Sequence, residues 1–386
     1  MLAKRGFITD MDKYIISSDI RQETGEILLD ELVTKSGKRK QQPWKPKKKK
    51  TMVLSKSFHR VGDSMPDDES GRYVAEKLHK KANRIWWCGT QLVFKMAVDK
   101  ILKVLFKANF CRERMCPMCD WRRSIKVFWQ VSKVMDAVQE RYADLVPIFL
   151  TLTVRNCKGE DLGKMLDNMF QGWKNLLKNR KFERLVIGWF RALEVTVNSD
   201  ERITQRLYNK RKKHYRGQGL KVGDSNPVYD TYHPHFHVVL LVDKSYFAKD
   251  NKDYMKTADW VQIWRKSCGF DYDPVCDIRK TQKSKDGRVK VAEVAKYTLK
   301  DAEFVREDKP EWMDKTVWEL SQALKGRRLV AFGGLMKTIH KELGLKEDDE
   351  NLVNITDETV REDLASMVEL YEWSFSALNY FRRADM

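Results

Sequence analysis

Hydrophobic residues recur along this chain with two different spacings, which predict an alternation of strands and helices. Runs of apolar and β-branched residues indicate strands, whereas apolar residues three and four positions apart indicate one face of a helix. Strands are predicted in the middle of the chain, at 146–156, 185–198, 232–242 and 273–281. Helices are predicted beside them, at 125–140, 161–180, 257–267 and 290–302.

The order of these elements predicts the fold class. The polar, basic stretch 199–230 has no clear periodicity and suits a long hairpin connection between the second and third strands. An antiparallel pair among strands that alternate with helices indicates an α+β fold, in which helices pack on a central antiparallel sheet. Beyond residue 305 the chain is expected to be mostly helical, with a Gly-Gly turn at 333–334.

Composition divides the chain into four expected parts. The first is polar and includes a basic run from Lys35 to Lys50, so it is expected to be a disordered arm. The others are a cysteine-rich segment, a strand-and-helix domain and a mostly helical C-terminal region. The boundaries are 1–70, 71–130, 131–305 and 306–386.

The net charge bears on partner and location. A charge of +19 over 386 residues indicates a polyanionic partner. The basic arm is expected to attract DNA backbone, although a solubilising or nuclear-localisation-like tail remains an alternative. No apolar run reaches the roughly 18 residues that cross a bilayer, and the N-terminus lacks the apolar core of a signal peptide. We therefore expect a cytoplasmic protein without a membrane partner.

The cysteines are clustered rather than spread as in a disulfide framework. Three of the seven form the pattern Cys111-x4-Cys116-x2-Cys119, and Cys88 lies upstream as a candidate fourth ligand. A Cys-x2-Cys pair on a tight turn fits tetrahedral coordination of a structural zinc ion. The alternative is a set of reduced cysteines near a core.

Three arginines flank this cysteine pattern. Arg114, Arg122 and Arg123 lie within or directly after it. Guanidinium groups in such positions bind phosphate readily, so DNA contact is one interpretation. A solvated rim is the other.

The predicted strand 232–242 carries three histidines at alternate positions. Alternate side chains of a strand leave the same face, so His233, His235 and His237 are expected to lie side by side. Neutral imidazole is the commonest metal ligand, and two such groups can hold an ion while leaving positions open for a substrate. Histidines satisfied by hydrogen bonds in a core are the alternative.

The predicted helix 290–302 carries a second group of chemically useful side chains. Glu293, Tyr297 and Lys300 occupy positions i, i+4 and i+7, hence one face. A phenol can attack phosphorus when its proton is removed and the phosphate is polarised; a lysine can stabilise the growing charge, and a glutamate can activate a second attacking group. Ordinary surface helices carry such triplets too. Lys296, beside the tyrosine, is a candidate DNA contact.

In combination these segments resemble a known family. The order FLTLT (149–153), HPHFH (233–237) and EVAKYTLK (293–300) resembles the three motifs of rolling-circle replication initiators, the histidine–hydrophobic–histidine nucleases. The segment FCRERMCPMCDWRRS resembles one found in the single-tyrosine plasmid initiators of Gram-positive bacteria. The resemblance covers roughly residues 85–345.

The resemblance implies roles for individual residues. His235 and His237 correspond to the metal-binding pair, and Glu194 is the expected polar residue that completes the metal site from a neighbouring strand. Tyr297 corresponds to the nucleophile that stays joined to the 5′-phosphate and frees a 3′-hydroxyl for the polymerase. Glu293 corresponds to the carboxylate of the terminating cleavage.

The expected cofactors and partners follow from these roles. Two imidazoles and a carboxylate suit Mn²⁺ or Mg²⁺ and also fit zinc; His233 either lines this site or contacts DNA. The expected substrate is origin DNA, single-stranded or extruded as a hairpin. Because no G-x4-G-K-[ST] motif is present, strand separation is expected to need a host helicase, working with the host polymerase. A homo-oligomer is left open.

Competing functions stay open at the level of sequence. A mobilisation relaxase or a single-strand transposase would share the metal and the tyrosine. A zinc-dependent DNA-binding regulator would use the cysteines and the basic arm, and would bind DNA without cutting it.

Overall fold

The computed structural model describes most of the chain. The described residues are 31–33, 39–97, 103–248, 251–281, 299–346, 351–353, 355 and 366–383. The chain forms two compact units, one of residues 1–126 with 348–386 and one of residues 127–347.

Strands and helices are interspersed along the described residues. The strands are β1 (Glu31–Val33), β2 (Arg39–Gln41), β3 (Gln91–Ala97), β4 (Lys103–Ala108), β5 (Leu145–Thr153), β6 (Gly188–Val197), β7 (Tyr232–Asp243), β8 (Cys276–Lys280), β9 (Val330–Gly333), β10 (Ser366–Ser374) and β11 (Asn379–Arg382). The helices are α1 (Trp44–Asp63), α2 (Glu69–Trp86), α3 (Pro117–Arg141), α4 (Gly159–Leu177), α5 (Arg180–Leu185), α6 (Gln205–Lys210), α7 (Lys212–Gly217), α8 (Thr257–Cys268), α9 (Asp301–Phe304), α10 (Pro310–Ala323) and α11 (Gly334–Glu342).

The unit of residues 127–347 is built on a five-stranded antiparallel sheet. Its strand order is β8-β5-β7-β6-β9, so β7 lies in the middle. Strand β7 is buried on both faces along nearly its whole length, which explains why its sequence is a continuous apolar run after the histidines. Strands β6 and β7 pair in antiparallel register, which confirms the hairpin expected across 199–230.

Helices cover both faces of this sheet. On one face Phe236 of β7 meets Phe170 and Trp173 of α4 and Trp264 of α8, with ring centroids 5.5 to 6.1 Å apart. On the other face a buried apolar cluster joins α3, the sheet and α11. Its members include Val131, Val138, Phe149, Phe190, Val239, Phe332 and Met336. The expected α+β fold, with helices on a central antiparallel sheet, is confirmed.

The other unit combines a helical hairpin with a second antiparallel sheet. Helix α2 begins at the N-cap residue Asp68, whose side chain accepts a hydrogen bond from the Gly71 amide at 2.7 Å. The four strands have the order β11-β10-β3-β4. Strand β10 therefore pairs the C-terminal part of the chain with β3, although residues 98–365 separate the two strands in the sequence.

The structure departs from two sequence expectations about the ends of the chain. The basic run was expected in a disordered arm, but α1 begins at Trp44 and contains residues 45–50. After the lysines, Leu54, Phe58 and Val61 form a buried stripe at helical spacing. The packing of this stripe outweighs the repulsion between the neighbouring lysine charges. The C-terminal region was expected to be mostly helical; it contains α10 and α11, but 366–374 and 379–382 are strands.

The sequence of β10 contains a local strand pattern, although the overall composition of the C-terminal region does not indicate strands. Glu369, Tyr371 and Trp373 of β10 are buried, whereas the residues between them are partly exposed, which is the alternation typical of a strand. The predicted helix 290–302 falls mostly outside the described residues. The structure describes a short helix, α9, directly after it.

We predict that the central strand carries much of the stability of the 127–347 unit. Leu240 is fully buried, so Leu240→Ala should lower the free energy of unfolding by about 2–5 kcal/mol through lost apolar burial and a residual cavity. The control Val275→Ala truncates a side chain that is 70% exposed and should change stability by less than about 0.5 kcal/mol. Urea unfolding measures both, and equal effects would contradict the prediction.

Candidate metal centres

The first candidate centre lies on the face of β6 and β7 that carries the histidines. The strand register places Glu194 directly opposite His235, and Ala192 opposite His237. Because side chains alternate, both imidazoles and the carboxylate leave the same face of the sheet. All three side chains are nearly buried, with Glu194 only 2% exposed.

The carboxylate of Glu194 connects the two imidazoles. Its Oε2 lies 2.7 Å from Nε2 of His237 and 3.4 Å from Nε2 of His235. The ring centroids of His235 and His237 are 4.7 Å apart. One ligand atom from each of the three residues lies within 4.8 Å of the others, so the group can surround a single ion.

A lysine holds the other carboxylate oxygen. Lys300 contacts Oε1 of Glu194, and its Nζ lies 3.6 Å from Oε1 of Glu303. Burial alone would raise the pKa of Glu194, but the hydrogen bonds from His235 and His237 and the contact with Lys300 hold that pKa well below its usual range. Glu194 is therefore a carboxylate, the form that binds a cation.

Sequence reasoning missed Glu303. Its Oε2 accepts a hydrogen bond from the Val197 amide at 3.1 Å, and burial raises the pKa of its carboxyl group. The available signal was its spacing of three residues from Lys300 on what proves to be a helical turn.

His233 lies next to the three-residue group but outside it. Its ring centroid is 5.3 Å from that of His235, and its backbone oxygen lies 3.1 Å from Nδ1 of His235. Burial, together with the nearby His235 and Arg211, lowers the pKa of His233 to about 4. The imidazole of His233 is thus neutral near pH 7.

The remaining residues expected at this site are only partly described. Lys300 is described, and it lies beside Glu194. Glu293, Lys296 and Tyr297 lie outside the described residues.

The second candidate centre consists of four cysteines in the other unit. Sγ atoms of Cys88, Cys111, Cys116 and Cys119 lie within 4.8 Å of one another. The Cys-x2-Cys pair spans the beginning of α3, where Pro117 occupies the first helical position. Backbone amides also point at sulfur: the Cys111 amide lies 3.3 Å from Sγ of Cys88.

Helix α1 contributes two polar side chains near the cysteines, and sequence reasoning missed both. Nζ of Lys48 donates to the carbonyl oxygens of Trp86 and Cys88, the latter at 3.0 Å. Oγ1 of Thr51 lies 3.7 Å from Sγ of Cys116. Burial lowers the pKa of Lys48 to about 8, although the cysteines oppose this shift. Within the run KPKKKK, no local signal separates Lys48 from its neighbours.

The arginines near the cysteines do not form one DNA-facing group. Arg122 is buried and donates to the carbonyl oxygens of Leu352 and Val353 at 2.9 and 2.8 Å, so the expectation that it faces phosphate is wrong. Arg123 is partly buried and donates to the Arg112 carbonyl at 3.2 Å. Arg114 is partly exposed.

Both groups of side chains fit metal ions, but different ones. The carboxylate and two imidazoles suit Mn²⁺, Mg²⁺ or zinc and can leave coordination positions open. Four cysteine sulfurs match the closed, tetrahedral coordination of a structural zinc ion. The observation behind each fit is the convergence of the donor atoms within 4.8 Å.

Comparison with known proteins finds similarity to proteins described as replication proteins. The sequence profile of a family described as "Replication protein" matches residues 102–381. A protein named "Protein rep" from Bacillus amyloliquefaciens is 34% identical over 348 residues, which cover 85% of this chain and 90% of that protein. Another from a Bacillus species is 36% identical over 321 residues, which cover 78% of this chain and 92% of that protein.

More distant similarity extends over nearly the whole chain. A "Protein rep" from Streptococcus pneumoniae is 29% identical over 358 residues, which cover 92% of this chain and 95% of that protein. No solved structure matches the chain. Within the described residues, no helix has both the length and the apolar character needed to cross a membrane.

We predict that the neutral imidazole of His233 makes stability pH-dependent. In the unfolded chain histidine takes up a proton near pH 6.5, but in the folded protein His233 does so near pH 4. The unfolded state therefore binds protons first, and the free energy of unfolding should fall as the pH drops from 6.5 to 4. His233→Gln should make that decline shallower.

Denaturant unfolding across this pH range, with chelator present throughout, measures the effect. The control His214→Gln replaces an exposed histidine and should keep the slope of the unmodified protein. If His233→Gln leaves the slope unchanged, the imidazole is not held neutral by the fold.

Proposed function

This chain belongs to the replication-protein family, as a rolling-circle plasmid initiator of the kind found in Gram-positive bacteria, and from this membership we propose a site- and strand-specific nicking activity. In this proposal the protein cuts one strand of its origin DNA in the cytoplasm and later rejoins it. Tyr297 stays joined to the 5′-phosphate, and this phosphotyrosine bond keeps the free energy of the broken phosphodiester bond available for rejoining. The released 3′-hydroxyl serves as the primer.

One observation carries the proposal. Glu194, His235 and His237 converge on one face of the antiparallel sheet, in a chain of the replication-protein family. A carboxylate held ionised between two imidazoles is suited to a divalent cation rather than to packing. The proposed ion is Mn²⁺ or Mg²⁺, which when bound would polarise the scissile phosphate and orient it.

The chain's own residues account for the proposed exchange of bonds. The phenol oxygen of Tyr297 attacks phosphorus, one P–O bond forms, and the bond from phosphorus to the 3′-oxygen breaks. The phenolic proton is lost and the leaving 3′-oxygen gains one, so the exchange is balanced without an oxidant or an external energy source. Lys300 stabilises charge that develops on the phosphate.

Rejoining uses the same chemistry in the opposite direction. A 3′-hydroxyl attacks the phosphotyrosine, the P–O bond to Tyr297 breaks, and the phenol recovers its proton. In the proposal Glu293 activates the attacking group of the terminating cleavage as a general base. Host helicase and polymerase would act between the two steps.

The cysteine unit is proposed to bind structural zinc and to support DNA binding. Helix α1 exposes Lys45, Lys49 and Lys56, which are four and seven residues apart and therefore lie on one side of the helix. Such a row of ammonium groups would attract DNA backbone without reading its sequence. It would add salt-sensitive affinity to the contacts made at the nicking site.

We predict that Tyr297→Phe abolishes covalent attachment to DNA. The protein is incubated with end-labelled single-stranded origin DNA and Mn²⁺ or Mg²⁺, and the adduct is resolved on a denaturing gel. Removing the phenol oxygen removes the nucleophile, so no adduct should form. The control Tyr254→Phe alters an exposed tyrosine of the same unit and should form the adduct normally.

Other outcomes identify other functions. If Tyr297→Phe still yields the adduct, another residue is the nucleophile. If the unmodified protein binds the DNA but never cuts it, a zinc-dependent DNA-binding regulator replaces the enzyme. Adduct formation on transfer-origin or transposon-end DNA, but not on a replication origin, would indicate a relaxase or a transposase.

We also predict that replacing the histidine pair abolishes DNA cleavage but preserves DNA binding. Replacing His235 and His237 together by Ala should reduce nicking to background, because the ion loses two of its three protein ligands. Affinity for the same DNA should stay within a few-fold, with the same dependence on salt, because lysine and arginine supply backbone attraction. Filter binding across a salt series measures this, with His214→Ala as control; a matching loss of binding would contradict the separation.

A further inference from the structure

Lys48 occupies an unusual position for a lysine from a basic run. Its side chain is fully buried, although its neighbours Lys45 and Lys49 on α1 are exposed. Its Nζ donates to the carbonyl oxygens of Trp86 and Cys88, and it lies 5.8 Å from the ring centroid of Phe375. These partners satisfy hydrogen bonds, but none of them carries a negative charge.

A buried ammonium group needs a counter-charge. Within the described part of the chain no carboxylate forms an ion pair with Lys48. Its Nζ lies 3.0 Å from the carbonyl oxygen of Cys88, whose sulfur belongs to the four-cysteine cluster. Removing an unpaired charge from water is unfavourable by far more than two hydrogen bonds to carbonyls return. The cysteine sulfurs are therefore the available source of negative charge.

A metal centre with four thiolates would supply the negative charge that is otherwise missing around Lys48. Four thiolates carry four negative charges and a zinc ion carries two positive ones, so the centre retains two negative charges in a buried environment. We infer that Lys48 is the counter-ion of a tetrathiolate metal centre and that it couples metal binding to the docking of α1. This inference rests on the zinc proposal above.

The position of α1 supports the coupling. Lys48 and Thr51 are three residues apart, so they lie on one face of the helix, and both reach the cysteine cluster. Cys88, whose carbonyl accepts from Lys48, lies just after Trp87, the C-cap residue of α2. When the metal is bound, attraction between the ammonium group and the thiolates would hold α1 against the cysteines; when it is lost, the buried charge would favour release of α1.

The test separates charge from hydrogen bonding. Lys48→Gln removes the charge but keeps an N–H donor, whereas Lys48→Met removes both. The control Lys49→Gln removes an exposed charge one residue along the same helix. Zinc content of the purified full-length protein is measured first, and zinc affinity then by competition with a chromogenic chelator.

The counter-ion role predicts how the zinc affinities of the variants rank. Both Lys48 variants should bind zinc about 10- to 100-fold more weakly than the unmodified protein, the range typical of lost outer-shell partners of a metal. Lys49→Gln should bind zinc normally. Limited proteolysis should cut within α1 faster in both Lys48 variants at a zinc concentration that protects the unmodified protein.

Each alternative outcome contradicts a different statement. If the unmodified protein holds no zinc, the zinc proposal fails. If it holds zinc and Lys48→Gln binds as tightly, the charge of Lys48 does not act on the centre. If Lys48→Met alone binds weakly, hydrogen bonding explains the residue. The zinc-dependent shift of the unfolding midpoint gives a second value of the affinity for a variant of low stability.

Discussion

The pairing register between β6 and β7 is the constraint on which the candidate nicking site depends. It places Glu194 opposite His235 and directs both side chains to the face that His237 shares. A slip of one residue would turn Glu194 to the opposite face, among the aromatic side chains around Phe236. Burial of β7 on both faces resists such a slip, because every apolar residue of the strand would lose its contacts. The position of the carboxylate is thus fixed by apolar packing.

The sequence predicts much of this unit because its signals are local. The alternation in β7 places the three histidines on one face, and the apolar run after them identifies a central strand. The position of Glu194 opposite His235 is not local, because it depends on how two strands separated by 199–230 align; the family resemblance supplied it. The β3–β10 pairing and the burial of Lys48 could not be predicted, since each arises from contacts between distant segments whose local composition indicates something else.

The two candidate centres place different demands on their surroundings. In the proposed nicking site, imidazole and carboxylate groups on neighbouring strands would be positioned before an ion binds, so little reorganisation would be needed. A zinc ion held by four thiolates would have no open position, and the protein would have to balance the excess negative charge. The carboxylate site has Lys300 beside Glu194, and the cysteine site has Lys48 behind Cys88. In both units, therefore, a lysine accompanies the group that would hold the metal.

The pairing of β10 with β3 also determines when the two units can be completed during synthesis. Residues 127–347 are contiguous, so the sheet that carries the histidines can form as soon as that stretch has left the ribosome. The sheet of the cysteine unit needs residues 366–382, which are made after residues 127–347. A nascent chain would thus carry a finished five-stranded sheet while its cysteine unit still lacked two strands, and a premature stop codon soon after residue 350 would leave it permanently in that condition.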